Sequence, residues 1–591
     1  MSWAAFSVPR YRCWLPRAVP PAMAQEKMAS ITVQTNVPIT MRDGARLLAD
    51  IYRPAARGHY PVLLQRTPYD KSAGRAQFLD SIRAAERGYA VVIQDTRGRY
   101  TSEGEFAPFL SDIEDGYDTV EWCAGEKWSN GRVGMYGISY VGATQWLAAI
   151  AAPPHLRAII PGMTAADYHD GWVYRGGTLM LAFNASWTAQ FLAVPQLRRL
   201  GLTADQSRME EAVLMKSLEH LRPTLSHLPL AELPLLRRDK LAPYFYEWLA
   251  HPDGDDYWER CNIAAHHDQI TVPALNVGGW YDLFPAGPPI NFAGVRERGA
   301  EEVARRNQHL IVGPWLHAFP PPSITGQRNF GWEASLVWGE VQFRWFDYWL
   351  KEIDTGIQNG APVRLFVMNQ GWREEDEWPL ARTQYVPYFL HSRGKANTLD
   401  GDGTLSTDPP GAEEPDRFRY DPMDPVPTVG AAGIHDQRRV EARIDVLVYS
   451  TTPLEEDLEV TGPVKVILHA SSSAGDTDFT AKLVDVGLNG YAANLCDGII
   501  RARYRKSLQR AELIEPGRAY EYTIDLVGTS NRFLRGHRIR LEISSSNFPR
   551  FDRNPNRPVP AAMARETVTA EQTIFHDAQH LSHVMLPIIR G

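Results

Sequence analysis

Cysteine is scarce in this chain of 591 residues: Cys13, Cys123, Cys261 and Cys496 stand far apart, with no CxxC pair. Such spacing builds neither a thiolate metal cluster nor a disulfide framework. Long apolar runs are missing as well. The longest candidate, Trp146 to Pro154, is under half of the ~20 residues that a membrane-spanning helix needs. Nor is there an excess of positive charge. Lys plus Arg number 62 against 70 Asp plus Glu, a formal net charge of −8 with no strongly basic block. No nucleic-acid partner is expected, because such proteins meet phosphate with clustered cations. What remains is the composition of an ordinary soluble globular protein, 44% hydrophobic and 22% charged.

At about 150 residues per domain, the length predicts two to four folded units. Residues 1–30 are set apart as a disordered or misassigned extension. Arg10, Arg12 and Arg17 with Pro9, Pro16, Pro20 and Pro21 interrupt the ~7–15 apolar residues of a secretory leader. Ala22-Met23-Ala24 looks like a cleavage site but has nothing upstream to support it, and Met23 or Met28 offers an alternative start. A cytoplasmic location is the expectation.

From Ile31 onward, short apolar runs alternate with helix-length segments. Ala45 to Tyr52, Pro61 to Leu64, Tyr89 to Ile93 and Val133 to Tyr136 read as strands. Arg75 to Arg87 and Asp112 to Cys123 read as helices between them. The alternation resumes at Val272 to Val277, where Pro273 suits only a strand's start, and at His309 to Val312. This is the pattern of a parallel sheet covered by helices on both faces. Residues 167–269 interrupt it with Leu-rich, aromatic, helix-length segments and no strand-like alternation. After Leu350, β-rich runs such as Val363 to Met368, Val464 to Leu468 and Ile539 to Ile543 are separated by Gly, Pro, Asn and Asp. That texture suits an antiparallel sandwich or jelly roll. The expected division is therefore α/β in two parts, 31–166 and 270–357, a helical segment at 167–269, and an all-β domain at 358–591.

The segment richest in chemistry is Val133-Gly134-Met135-Tyr136-Gly137-Ile138-Ser139-Tyr140-Val141-Gly142. A strand runs into Gly137 and a helix-forming stretch follows, so Ser139 stands on a sharp strand-to-helix turn. There its hydroxyl projects above the sheet edge, and the helix N-terminus brings backbone N–H groups to any developing negative charge. The spelling departs from G-x-S-x-G: Val141 occupies the second glycine position and Gly142 comes one place late. A serine nucleophile needs a base, and the base an orienting carboxylate, in the chain order Ser, acid, His for this fold class. Asp282, in Gly278-Gly279-Trp280-Tyr281-Asp282, and His317, in Gly313-Pro314-Trp315-Leu316-His317, lie just past the carboxyl ends of two strands in that order. Ligands of open α/β sheets bind at that edge. His309 lies within a strand and His266-His267 precede one, so both are weaker candidates.

These residues resemble the cocaine esterase and X-prolyl dipeptidyl-peptidase superfamily of serine hydrolases. The nucleophile motif G-x-S-Y-x-G is matched by Gly137, Ser139, Tyr140 and Gly142, G-W-x-D by Gly279 to Asp282, and G-P-W-x-H by Gly313 to His317. The similarity also takes in Asp95-Thr96-Arg97-Gly98, Tyr420-Asp421-Pro422 and Asp476-Thr477-Asp478-Phe479, and covers nearly everything after residue 30. It implies an α/β-hydrolase domain with an inserted helical cap and a C-terminal jelly roll. It also implies an oxyanion hole made by a tyrosine hydroxyl and the backbone N–H after the nucleophile. Here these are Tyr69, in Arg66-Thr67-Pro68-Tyr69-Asp70-Lys71, and Tyr140.

The implied activity is acyl transfer through an acyl-enzyme, with a small-molecule ester as partner and no metal or cofactor. Whether the chain forms a homo-oligomer stays open at this stage. His266-His267-Asp268 is too compact for a metal site, and Asp400-Gly401-Asp402-Gly403 lacks the spaced carboxylates of a calcium loop. The Asn184-Ala185-Ser186 glycosylation pattern lies in an apolar helical stretch. Amino-ester hydrolases of this superfamily hold a substrate ammonium with carboxylates, whereas Leu283 and Phe284 follow the triad acid here. Trp172, Trp187 and Phe284 are similar to the aromatic acyl pocket of the cocaine-esterase branch, which favours an ester with a bulky or aromatic acyl group. The alternatives are an amide acylase or X-prolyl dipeptidyl-peptidase, and a binding module on a degenerate hydrolase.

Overall fold

A computed structural model describes residues 30–237, 241–430 and 432–590. The reading of residues 1–30 as an extension lies, Ser30 apart, outside them. The chain opens with strands β1 (Ile31–Thr40), β2 (Arg46–Pro54), β3 (Tyr60–Thr67), β4 (Ala90–Asp95), β5 (Ser129–Ile138) and β6 (Leu156–Gly162), and the same sheet resumes with β7 (Ala274–Gly279) and β8 (Gln308–Gly313). With β9 (Val363–Val367) and β10 (Gly371–Glu375) they form one ten-stranded sheet in the order β1-β2-β4-β3-β5-β6-β7-β8-β9-β10. Ladders from β4 through β9 are parallel, and β1, β2 and β10 add antiparallel edges. Every residue of β4, β7 and β8 is buried, which is why their sequences read as continuous apolar runs rather than alternations. Pro273 stands immediately before β7, where the ladder asks no donor of it.

Strands β9 and β10 follow the expected boundary at residue 357 yet pair with the first sheet. Val363 pairs in parallel with Leu310 of β8, so the first elements assigned to the all-β part belong to the α/β sheet. The cause is physical: a buried β-branched run declares a strand but not the sheet it joins.

Between β6 and β7 the chain leaves the sheet and forms helices at Leu181–Trp187, Ala204–Glu219 and Pro243–Ala250. It also forms a small hairpin, Tyr174–Arg175 against Thr178–Leu179. Arms of two residues are too short to leave an alternation in sequence, and the hairpin was not expected. Asn184 is wholly buried and donates to the carbonyls of Trp172, Val173 and Met180, so no glycan can reach it.

The C-terminal third is β-rich: β11 (Gln384–His391), β12 (Thr404–Ser406), β13 (Asp416–Tyr420), β14 (Leu447–Ser450), β15 (Leu458–Ser472), β16 (Asp478–Val486), β17 (Ala492–Arg501), β18 (Tyr520–Phe533), β19 (Arg538–Ser544), β20 (Ala570–Phe575) and β21 (His583–Ile589). These run in the order β13-β20-β15-β21-β11-β12-β14-β19-β16-β17, with β18 on β15. The inserted segment docks on this part: Arg501 N–H donates to Gly176 O at 2.8 Å, and Leu179 N–H to Asp552 Oδ1 at 2.8 Å. Among the described residues, no helix is long and apolar enough to cross a membrane.

Candidate active site

Ser139 caps the helix Tyr140–Ile150 with φ 63° and ψ −131°. A non-glycine residue is strained there by about 1–3 kcal/mol, a cost characteristic of functional turns. The surrounding contacts fix that turn. Ser139 N–H donates to Gly162 O at 2.9 Å, and the Ser139 carbonyl accepts from Gly142 and Ala143. A Cβ on Gly142 would come within 2.7 Å of Gly162 O, so the helix reaches its closest approach to β6 one residue later than the common spelling places it. Tyr140 is the first helical residue, so its N–H has no acceptor within the helix and points ahead of the N-terminus. Its side chain anchors the turn from below: the hydroxyl donates to Asp112 Oδ2 at 2.6 Å and accepts from Phe109 N–H. Arg66, fully buried, pairs with Asp112 at 3.2 Å.

Asp282 and His317 come together. His317 Nδ1 donates to Asp282 Oδ2 at 2.9 Å, and the other carboxylate oxygen accepts the Phe284 N–H at 2.6 Å. Both oxygens of a fully buried carboxylate side chain are thus committed, and the imidazole remains partly open to solvent. The two tryptophans of the motifs hold the loops in place. Trp280 Nε1 donates to Phe366 O on β9, and Trp315 Nε1 to Ala334 O. Tyr281 N–H reaches Trp315 O, and a Cβ at Gly279 would lie 2.4 Å from that same carbonyl. G-W-x-D and G-P-W-x-H are therefore two halves of one packed unit.

Tyr69 follows β3 at the same sheet edge. Its hydroxyl accepts a hydrogen bond from Trp187 Nε1 at 2.9 Å and lies within hydrogen-bonding reach of Ser139. Burial pushes the phenol pKa up to about 12, against the opposing effect of both hydrogen bonds and of Arg99. Arg99, next to the Asp95-Thr96-Arg97-Gly98 motif, is a residue that sequence reasoning missed. Its buried guanidinium donates to Pro68 O, Leu192 O and Phe191 O, tying the Tyr69 loop to the inserted helices. The signal was present in the arginine-rich motif, but nothing in it disclosed an all-carbonyl environment.

The aromatic candidates assemble around these groups. Phe284 packs edge-on to His317 at 5.3 Å and stacks on Trp172 at 4.1 Å between centroids, and Trp172 meets Trp187 at 5.4 Å. An unbroken chain of contacts runs from His317 through Phe284, Trp172 and Trp187 to Tyr69 and Ser139. Phe183, not singled out in sequence, touches Trp172, Trp187 and Phe284. Trp172 is completely buried, and its indole N–H has no acceptor among the described residues.

Residues 43–319 match the family model described as X-Pro dipeptidyl-peptidase (S15 family), and residues 355–585 that of the X-Pro dipeptidyl-peptidase C-terminal non-catalytic domain. The chain is 42% identical over 587 residues to the cocaine esterase of Rhodococcus sp. (strain MB1 Bresler), covering 95% of this chain and 99% of that one. A putative Xaa-Pro dipeptidyl-peptidase of Bacillus anthracis is 24% identical, over 85% of this chain and 74% of its own. Among solved structures, an α-amino acid ester hydrolase superposes with a TM-score of 0.77 at 25% identity, covering 98% of this chain and 100% of that one.

Proposed function

Because this chain belongs to the X-Pro dipeptidyl-peptidase S15 family, we propose that it is a serine carboxylesterase that takes esters with a bulky or aromatic acyl group. That it is an ester-hydrolysing serine hydrolase follows from the family and its esterase relatives. The observation that carries the finer reading is the convergence of the Asp282–His317 pair, Tyr69, Ser139 and a buried aromatic cluster at one sheet edge.

In this reading, His317 takes the Ser139 proton as the hydroxyl oxygen attacks the ester carbonyl. Asp282 holds the imidazole by Nδ1 and stabilises its protonated form. Negative charge then gathers on the former carbonyl oxygen, where the Tyr69 hydroxyl and the Tyr140 N–H donate to it. Trp187, donating to the Tyr69 oxygen, orients the phenol so that its own proton points to that charge. His317 returns the proton to the leaving alcohol, and water repeats the sequence to free the acid. Trp172, Trp187 and Phe284 supply the surface for the acyl group, with the 167–269 segment serving as a cap and the β-rich part, a jelly roll, closing the other side.

A second reading, dipeptidyl-peptidase, is favoured by the B. anthracis relative. A substrate ammonium would need a free carboxylate, and Leu283 and Phe284 stand directly after Asp282. Hydrolysis of an aryl benzoate against a Gly-Pro anilide, by wild type and Ser139→Ala, separates the two. Ester turnover that vanishes in the variant, without anilide cleavage, is the expected result. Preferred anilide cleavage assigns the peptidase reading, and activity surviving in Ser139→Ala removes Ser139 as nucleophile.

A further inference from the structure

Arg99 is only 2% exposed, yet among the described residues it forms no ion pair. Its guanidinium bonds instead to main-chain carbonyls: Nε donates to Pro68 O at 3.0 Å, Nη1 to Leu192 O at 3.0 Å and Nη2 to Phe191 O at 3.2 Å. The rings of Phe106 and Tyr100 flank it, their centroids 5.0 and 5.6 Å from the guanidinium carbon. Burial opposes its charge, and holding an unpaired cation away from water is costly. An apolar chain of similar length would fill the same space without that cost. What it could not supply is a planar fork of donors reaching three carbonyls at once.

The carbonyls at the ends of that fork belong to two separate elements. Pro68 O is the carbonyl of the peptide bond that leads into Tyr69. Phe191 and Leu192 lie four and five residues past Trp187, in a π-helical turn at Thr188–Ala193 where Val194 N–H reaches back to Ala189 O. Pro195 follows, and having no N–H it leaves Phe191 O, four residues back, without an α-helical donor. Arg99 takes up that carbonyl. The same turn sets the Phe191 ring edge-on to Tyr69, 6.2 Å between centroids. The loop that carries Arg99 is itself fixed. Arg99 N–H donates to Thr96 O and its carbonyl accepts from Ser102 N–H, while Arg199 of the inserted segment donates to Tyr100 O at 2.7 Å and Ser102 O at 2.8 Å. Arg99 thus spans the main chain on either side of one hydrogen bond, that from Trp187 Nε1 to the Tyr69 hydroxyl at 2.9 Å.

We propose that Arg99 is the positioning residue of the oxyanion hole: by joining the Pro68 carbonyl to the turn after Trp187, it sets the Trp187–Tyr69 hydrogen bond and so aims the phenol proton. The proposal rests on the oxyanion role of Tyr69. A double-mutant cycle in kcat on phenyl benzoate tests it, with denaturant midpoints recorded for every variant so that kcat is referred to folded enzyme. Arg99→Met is expected to lower kcat roughly tenfold to hundredfold, the effect of a displaced catalytic group, with KM nearly unchanged. Arg99→Lys keeps the charge without the fork; it should show a smaller loss of the same kind, and it carries the cycle if Arg99→Met does not fold. In the Tyr69→Phe background there is no phenol proton left to aim, so neither substitution should lower kcat further by more than about twofold. An equal loss in both backgrounds, a loss that falls on KM alone, or unimpaired turnover in the Arg99 variants overturns the positioning role. Tyr69→Phe as fast as wild type overturns the oxyanion reading instead, and the proposal with it.

Discussion

As the proposed oxyanion donor, Tyr69 would meet two demands: it must stay protonated, and its proton must be aimed. Burial answers the first by lifting its pKa to about 12, so the phenol keeps its proton at neutral pH. Trp187 answers the second by occupying a lone pair of the phenol oxygen. Tyr69→Phe should therefore lower kcat by roughly 10²–10³-fold with KM nearly unchanged, as for loss of one oxyanion donor. Steady-state kinetics on an aryl ester checks this, and a raised KM with kcat intact would assign Tyr69 a binding role only. Motifs mark several of the candidate residues in sequence: Ser139, Asp282 and His317 each follow a strand end in the order that the proposed chemistry requires. Arg99, Asp112 and Phe183 were not legible. Their importance comes from what faces them across the fold, as with Asp112 beneath Tyr140, 28 residues away in sequence.

Among the elements, the Asp476-Thr477-Asp478-Phe479 motif shows how a short sequence can serve a junction. Asp478 binds Arg501 through two hydrogen bonds of 2.9 and 3.0 Å, Arg501 also reaches Asp552, and Asp476 pairs with Arg503. Asn554 bridges Asp476 and Asp478. Asp552 then accepts from Leu179 of the inserted hairpin, so this buried ionic layer is also the seat on which the insertion rests. Removing its central cation strands two buried carboxylates. Arg501→Met is expected to cost about 3–5 kcal/mol, visible as a lowered unfolding midpoint in denaturant, and to loosen the inserted hairpin that Asp552 seats. A variant as stable as wild type would show that the layer is dispensable. The elements themselves were read well where burial on both faces leaves continuous apolar runs, as in β4, β7 and β8. The hairpin at Tyr174–Leu179 escaped because its two-residue arms hold no period.

At the scale of the whole molecule, one buried cluster in the β-rich part should make stability depend on pH. His576 lies between Glu413, at 3.1 Å from Nδ1, and Asp416, at 2.9 Å from Nε2. Burial opposes its charged form, but the Asp416 hydrogen bond and the charges of Asp416 and Glu413 outweigh it and raise the pKa above the usual 6.5. Asp416 moves the other way. Burial again opposes ionisation, yet hydrogen bonds from His576, Ala396 N–H, Ser392 and Tyr449 bring its pKa below 3.8. A raised imidazole pKa contributes stability that is complete below the unfolded value and lost as pH climbs through the folded one. A lowered carboxyl pKa contributes stability present above its unfolded value and lost as pH falls through the folded one. The contribution of this cluster to Tm should thus be level between about pH 4 and 6.5, then decline on the alkaline side, at roughly 2–4 °C per kcal/mol. His576→Gln should flatten that alkaline decline in a Tm series from pH 5 to 9; an unchanged slope would place its origin elsewhere. An α/β part followed by a β-rich part was legible from composition shifts along the chain, but not the seam at which β9 and β10 join the first sheet. That seam decides how the protein can be severed. A proteolytic cut between Leu350 and Val363 would strip β9 from β8 and bare a row of unpaired N–H and C=O groups, a template for aggregation. It would also carry away Phe366 and Met368, which hold Trp280 and Tyr281 beside Asp282, so the amino-terminal fragment would keep its candidate catalytic acid but lose the contacts that position it.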